Sequence, residues 1–270
     1  MLLFVSTPIG NLEDITLRAL KALEEASIVL CEDTRVSSKL IRLYEDRALI
    51  KKTQKKYISL HSHNEDEFLA NLETDFFSSN VIYLSDAGAP CISDPGAKLV
   101  LYCLENGVLY DFLPGASALI SGYGMSGFVE GRFLFIGFLP HGKKLRVPQL
   151  QKALFSGYVS IYYESPKRIV QLVEEIVELD EKREVFAIKE ITKLHQKSFK
   201  HDAKKLLELL KQSDLRGEWT LVVDGSNETL KCATLKELET LALPPKVAAK
   251  IEAFFLGVSS KEIYKRDNSC

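Results

Sequence analysis

The sequence predicts an α/β protein of two domains, and three observations carry that expectation. Over the first 130 residues, short apolar runs alternate strictly with helix-period segments, the pattern of a mainly parallel sheet flanked by helices. After the glycine-rich stretch Gly122-Tyr123-Gly124-Met125-Ser126-Gly127, a second set of strands and helices begins near Arg132. Three strands of the first half end in small-residue turns, after Ser6, Leu84 and Leu113. In an open parallel sheet such turns share the edge where ligands bind.

Taken in order, residues 2–6 read as an apolar strand, cut off by Thr7-Pro8-Ile9-Gly10-Asn11. The next helix presents Ile15, Ala19, Ala22, Leu23 and Ala26 on one face, with Asp14 as its expected cap. A strand over 28–31 ends in Glu32-Asp33-Thr34-Arg35, a helix follows over 37–44, and a strand over 57–60 runs into His61-Ser62-His63-Asn64-Glu65. A helix is expected over 65–77, then a buried strand over 81–84. A helix over 97–105 is stopped by Asn106-Gly107, and a strand over 108–113 precedes Pro114-Gly115-Ala116-Ser117-Ala118 and a further helix. In the second half, strands are expected over 132–138, 158–163, 185–188 and 219–223, with an extended stretch at 197–201. Helices are expected over 147–155, 167–179 and 203–211, and from Thr234 onward over 235–241, 246–255 and 260–265. The expected units are residues 1–130, residues 131–228 and a helical extension over 229–270.

The turn after Leu84 organises the first half. Ser85-Asp86-Ala87-Gly88-Ala89-Pro90-Cys91-Ile92-Ser93-Asp94-Pro95-Gly96 holds two Gly, two Pro, two Asp and two Ser, far more than a plain connection needs. Gly88 can adopt positive φ and admit a ligand close to the backbone, the prolines stiffen the loop, and Asp94 is placed to cap the following helix. By contrast, Gly122 to Gly127 matches GxGxxG but sits at the end of a helix, not between a strand and a helix. It is therefore expected to be a flexible linker, which disfavours a Rossmann oxidoreductase.

Bulk properties narrow the classes. A formal net charge of −2, with 46% apolar and 27% charged residues, describes a globular chain whose nucleic-acid contacts must come from local patches. No apolar run reaches membrane-spanning length and no signal peptide is recognisable, so no membrane partner is expected. Five scattered cysteines without a CxxC pair fit a reduced, cytoplasmic protein. His61 and His63 would share a face if they lay on a strand, but no third ligand cluster accompanies them, and no metal is expected.

Several segments occur in one order and spacing: Ser6-Thr7-Pro8-Ile9-Gly10-Asn11, Cys31-Glu32-Asp33-Thr34-Arg35, His61-Ser62-His63-Asn64-Glu65 and the loop after Leu84. Pro114-Gly115-Ala116-Ser117-Ala118, Gly137-Phe138-Leu139-Pro140, Tyr163-Glu164-Ser165-Pro166, Glu190-Ile191-Thr192-Lys193 and Arg216-Gly217-Glu218 follow. Together, over nearly the whole chain, they resemble the tetrapyrrole methylase superfamily and, within it, its ribosomal RNA methyltransferases. The resemblance implies two α/β domains, the second with a mixed sheet, S-adenosylmethionine bound between them, and a homodimer. It also implies 2′-O-methylation of a cytidine ribose near the decoding centre of 16S rRNA in the 30S ribosomal subunit. Carried onto this chain, the cofactor residues would be Thr7, Pro8, Ile9, Gly10 and Asn11, then Ser85, Asp86, Ala87, Gly88, Ala89 and Pro90 with Ser93 and Asp94. Pro114, Gly115, Ala116 and Ser117 would complete the loops, joined by Phe138, Tyr163 and Glu164 from the second half. Ala89, Cys91 and Ala116 stand where the family commonly has Thr, Leu and Pro, changes that backbone contacts are expected to survive.

Methyl transfer from a sulfonium asks mainly for alignment in a dry cleft, and a ribose hydroxyl also needs a base or a positive neighbour. The preferred catalytic candidates are Glu190 with Lys193 and Asp33 with Arg35, each an acid beside a base at a strand end; Glu164 is a further acid. His61, His63, Lys143, Lys144 and Arg146 are expected to meet substrate. Basic residues concentrate in three patches: Arg47, Lys51, Lys52, Lys55 and Lys56; Lys143, Lys144, Arg146 and Lys152; Lys193, Lys197, Lys200, Lys204 and Lys205. A precorrin-type C-methyltransferase on the same fold would want an apolar trough and little basic surface. A non-catalytic ribosome-binding module would have lost the cofactor.

Overall fold

The structure, a computed structural model, describes residues 1–225, 243–256 and 259. Strands β1 (Leu2–Val5), β2 (Ile28–Cys31), β3 (Lys56–Ser59), β4 (Val81–Leu84) and β5 (Tyr110–Leu113) form an all-parallel sheet in the order β3-β2-β4-β1-β5. Side chains alternate between its faces. Val5, Val29, Cys31, Ile82 and Leu84 pack with α1 (Leu17–Glu25) and α2 (Thr34–Asp46), whereas Leu2, Phe4, Leu30, Val81 and Tyr83 pack with α3 (Glu65–Ala70) and α4 (Ala97–Glu105). All four residues of β4 are buried, as expected of a central strand covered on both faces. From β1 the chain crosses towards β2, and from the adjacent β4 it crosses the other way, to β5. The loops leaving these two neighbours therefore diverge and open a crevice at their carboxyl ends.

The second sheet is mixed. Strands β6 (Phe133–Phe138), β7 (Val159–Glu164), β8 (Glu184–Lys189), β9 (Lys197–Asp202) and β10 (Trp219–Val223) lie in the order β6-β7-β10-β8-β9, parallel only between β6 and β7. Helices α6 (Lys143–Leu154), α7 (Ile169–Leu179) and α8 (Ala203–Lys211) cover one face around Tyr162, Ala187, Trp219 and Leu221. Helix α5 (Ala118–Ser126), which follows β5, crosses over to the opposite face. Its Leu119 and Tyr123 pack with Ile161, Phe186 and Val222.

That packing corrects the linker expectation, since Gly122 to Ser126 is helix. Gly122 allows α5 to lie close on β10: a methyl there would sit 2.9 Å from Thr220 Cγ2. Gly127, at φ 71°, ends the helix. Other boundaries move for local reasons. Thr16, not Asp14, caps α1 by accepting the Ala19 N–H, and Asp33 caps α2 three residues earlier than expected by accepting the Arg35 N–H. Asp94 does not cap α4. Gly96 stands at that position at φ 116° and donates its N–H to the buried Glu65 carboxylate. Helix α3 stops at Ala70, and a 3₁₀ turn over Thr74–Ser78 turns Phe77 into the core. Helix α6 starts at Lys143 with Pro148 inside it, and the expected helix over 246–255 is α9 (Pro245–Leu256). The helices expected over 235–241 and 260–265 lie outside the described residues. Among the described residues no helix is long and apolar enough to cross a membrane.

Candidate active site

Three loops of the parallel sheet are knitted together at its carboxyl edge. Thr7 N–H donates to Gly88 O (2.9 Å), and Gly88 N–H donates back to Thr7 O and Thr7 Oγ1 (both 3.1 Å). Ser85 Oγ closes on Gly88 O at 2.7 Å, and the Thr7 hydroxyl donates to Ser85 O. Gly88 has φ 85°, and a methyl there would come within 3.2 Å of Ile9 Cγ2 and 3.6 Å of Ala116 O. Its left-handed backbone favours glycine, and a side chain there would also have to push Ile9 aside by a few tenths of an ångström. Next to Gly96, Cys91 holds φ 65°, a strained conformation for a side chain-bearing residue. The first loop also reaches the second half: Asn11 N–H donates to Thr192 Oγ1, and Gly10 lies against the side chain of Lys193.

Between the two sheets lies a cavity of about 510 Å³. From the first sheet's loops, Ile9, Asp86, Ala87, Gly88 and Ala89 line it, with Ser93, Asp94 and Ser117 beside them. Phe138, Tyr163 and Glu164 close it from the second sheet. Phe138 leaves 58% of its surface exposed there, its ring edge-on to Tyr163 at 5.7 Å. Among the described residues five carboxylates line the cavity and no lysine or arginine does. Glu164 is paired with Arg168 and Glu218 with Lys193, but among the described residues Glu32, Asp86 and Asp94 have no ion-pair partner. Burial pushes Asp94 up to about 6, with Glu32 and Asp86 adding repulsion. Burial likewise raises Asp86, against the Asp33 N–H it accepts, and raises Glu32, with Asp86 repulsion adding and His61 opposing.

A second, more polar cavity of about 490 Å³ adjoins the first. Asp33, Thr34, Arg35, Ser59, His61 and His63 line it, and Glu32 and Asp86 line both. His61 and His63 occupy a turn after β3, not the strand on which they would have shared a face, and their rings meet edge to face at 5.9 Å. Among the described residues no group of three or more His, Cys, Asp or Glu is arranged to hold a metal ion.

Not every expected residue reaches a cavity. Thr7 and Ser85 brace the loops from behind. Pro8, Gly10, Asn11, Pro90, Pro114, Gly115 and Ala116 lie off the lining, with Gly115 tight against Ser6. Arg146 is a correction: it is buried, bonded to Glu175 at 2.6 and 2.8 Å and to the His141 carbonyl, so it cannot meet a substrate. Lys143 and Lys144, at the start of α6, are exposed. Lys193 is tied to Glu190 (2.9 Å) and Glu218 (2.8 Å) beside the cavity, without lining it. Burial raises the Glu190 carboxyl, but the Glu218 N–H and Lys193 outweigh it and hold Glu190 low. Hydrogen bonds from the Arg35 side chain and backbone hold Asp33 down at about 2. The patch with Arg47, Lys51, Lys52 and Lys56 leads into the amino end of β3, the edge away from the cleft, and Lys55 is bonded to the Glu24 and Ala26 carbonyls. Lys200, Lys204 and Lys205 pair with Glu184, Glu181 and Glu208. The sequence reading missed Glu32, whose strand-end position was a usable signal. It also missed Trp219 and Thr220, which reach the cavity through the pairing of β10, and Ile191 in the turn after β8.

A family model described as tetrapyrrole (corrin/porphyrin) methylases matches residues 1–207. A Helicobacter pylori protein named ribosomal RNA small subunit methyltransferase I is 42% identical over 98% of this chain and 96% of its own length. A Campylobacter fetus protein of the same name is 45% identical over 98% of each. Among solved structures, a cobalt precorrin-4 methyltransferase aligns at TM-score 0.61 with 18% identity, covering 83% of this chain and 94% of its own. Uroporphyrin-III C-methyltransferase from Thermus thermophilus, complexed with S-adenosyl homocysteine, aligns at 0.58 with 19% identity, covering 83% and 96%. These structures share the fold. The chain belongs to the tetrapyrrole (corrin/porphyrin) methylase family, and its near-full-length relatives there are the ribosomal RNA small subunit methyltransferase I proteins.

Proposed function

We propose that this protein is an S-adenosylmethionine-dependent methyltransferase acting on the 2′-hydroxyl of a cytidine ribose in small-subunit rRNA, near the decoding centre. The observation that carries the reading is the acid-lined cavity between the sheets, opening beside a polar second cavity. The residues fit the cofactor. Asp86 and Asp94, carboxylates with no cationic partner among the described residues, complement a ligand bearing a sulfonium and an ammonium, Gly88 leaves room at the backbone, and Phe138 and Tyr163 line the cavity with aromatic surface for an adenine. When bound, the cofactor supplies a methyl on a positively charged sulfur that leaves as a neutral thioether. The chain's task is to hold acceptor and donor in line and keep water out.

The near-full-length relatives' name supports rRNA as the acceptor. Arg35, His61 and His63 rim the second cavity, where an unstacked nucleotide would enter. Lys143 and Lys144, shortly after the cavity-lining Phe138, would contact phosphate. On this reading residues 1–130 and 131–228 act as two lobes of a cytoplasmic enzyme, working as a homodimer.

Labelled methyl transfer to 30S subunits, naked 16S rRNA and a porphyrinogen, side by side, tests the proposal. Label is expected on RNA, recovered after alkali in a resistant dinucleotide because a 2′-O-methyl removes the attacking hydroxyl. Label on porphyrinogen alone overturns it. Replacing both Lys143 and Lys144 with alanine should lower the slope of log affinity against log salt by about 1 to 2.

A further inference from the structure

We infer that Glu32, at the carboxyl end of β2 where the two cavities meet, is the catalytic residue that takes the proton from the acceptor hydroxyl. The inference rests on the proposed ribose methylation and assigns its base.

Geometry singles out this side chain. An acceptor entering through the polar cavity must bring its hydroxyl to the junction with the acid-lined cavity, and among the described residues only Glu32 and Asp86 line both. Asp86 is already engaged, accepting the Asp33 N–H at 3.3 Å. The other acids are committed elsewhere. Asp33 holds Arg35 through both carboxylate oxygens, Glu190 and Glu218 share Lys193, and Glu164 holds Arg168. Asp94, with no ion-pair partner among the described residues, lines the first cavity but not the second. Glu32 has no ion pair or hydrogen bond to its carboxylate among the described residues, so both oxygens are free to accept.

Its surroundings tune it for the task. Asp86 and Asp94 from the loop after β4, the adjacent Asp33 and Tyr83 of β4 face it, and among the described residues His61 acts in the opposite direction. Burial and the neighbouring acids raise its proton affinity, and a base works best when its pKa approaches the working pH. The step balances. The hydroxyl proton passes to the Glu32 carboxylate, the oxygen's electron pair forms the new C–O bond, and the C–S electron pair stays on the departing sulfur. Glu32 then returns its proton to water.

The test compares wild type, Glu32→Gln and Glu32→Asp. Calorimetry with S-adenosylhomocysteine should give affinities within threefold of each other. Single-turnover transfer to rRNA should fall about 10²- to 10⁴-fold in Glu32→Gln, the range a positioned base supplies, and recover partly in Glu32→Asp. The wild-type rate should climb with pH to a plateau, and that limb should vanish in Glu32→Gln. Carboxyl carbon NMR should show one glutamate titrating above the others, absent from the variant. Glu32→Gln that binds the thioether normally and transfers within tenfold of wild type overturns the assignment, as does loss of binding, which would make Glu32 a cofactor contact. A wild type that methylates no RNA sinks the proposed function itself.

Discussion

Replacing Gly88 with valine places a β-branched residue at φ 85°. Holding an L-residue in that region costs about 1–2 kcal/mol, and more for a branched one. The new Cβ would stand 3.2 Å from Ile9 Cγ2, forcing that side chain aside for roughly another 1 kcal/mol. The loop can escape by giving up its hydrogen bonds with Thr7, each worth about 1 kcal/mol. Strain and restraint nearly balance, so the variant is expected to leave the knitted geometry while the rest of the fold survives. Losing about 2 kcal/mol of preorganisation corresponds to roughly thirtyfold weaker binding. The assay is calorimetric titration with S-adenosylhomocysteine, beside urea unfolding. Gly107→Val is the control: it has φ 65° with nothing within 4 Å of a Cβ, so it should lose stability and keep affinity. If Gly88→Val binds within threefold of wild type, the loop is not part of the binding cradle and the reasoning fails.

Other outcomes follow from buried charge. Arg146→Ala leaves Glu175 buried without its partner and should destabilise the fold by about 3–5 kcal/mol in urea, with RNA affinity per folded molecule unchanged. Arg146→Met with Glu175→Leu should recover most of that loss. Asp94 sits at about 6 in the folded chain, above its ordinary value, so the folded state binds the proton more tightly than the unfolded one. Its contribution is therefore fully favourable at low pH and is lost as pH rises through about 4 to 6. After allowance for partial exposure, Asp94→Asn should gain up to about 2 kcal/mol over wild type at pH 7.5 and nothing at pH 3.5, read from urea midpoints. An equal gain at both values would refute the electrostatic origin.

Much of this was legible along the chain. Alternating apolar runs and helix-period segments marked the ten strands of the described residues to within about two residues, because hydrophobic period is a local property. Gly88 and the loop around it were legible too, since positive φ and close approach leave a compositional trace. Misplaced boundaries came from caps competing at short range: Thr16 against Asp14, and Gly96 with a distant Glu65 against Asp94. The GxGxxG stretch misled because its first glycine, Gly122, answers to Thr220, almost a hundred residues away, and not to a phosphate.

The sequence by itself determined the strands and most of the helices of the described residues, the small-residue loops at the sheet edge and the family. Only the tertiary structure decided which acids stand alone. Arg146 reads as a surface cation until Glu175 is found 2.6 Å away, and Glu32 reads as one strand-end acid among several until two cavities meet at it. A carboxylate's proton affinity is fixed by burial and by charges a few ångströms off, and the fold draws those neighbours from remote parts of the chain.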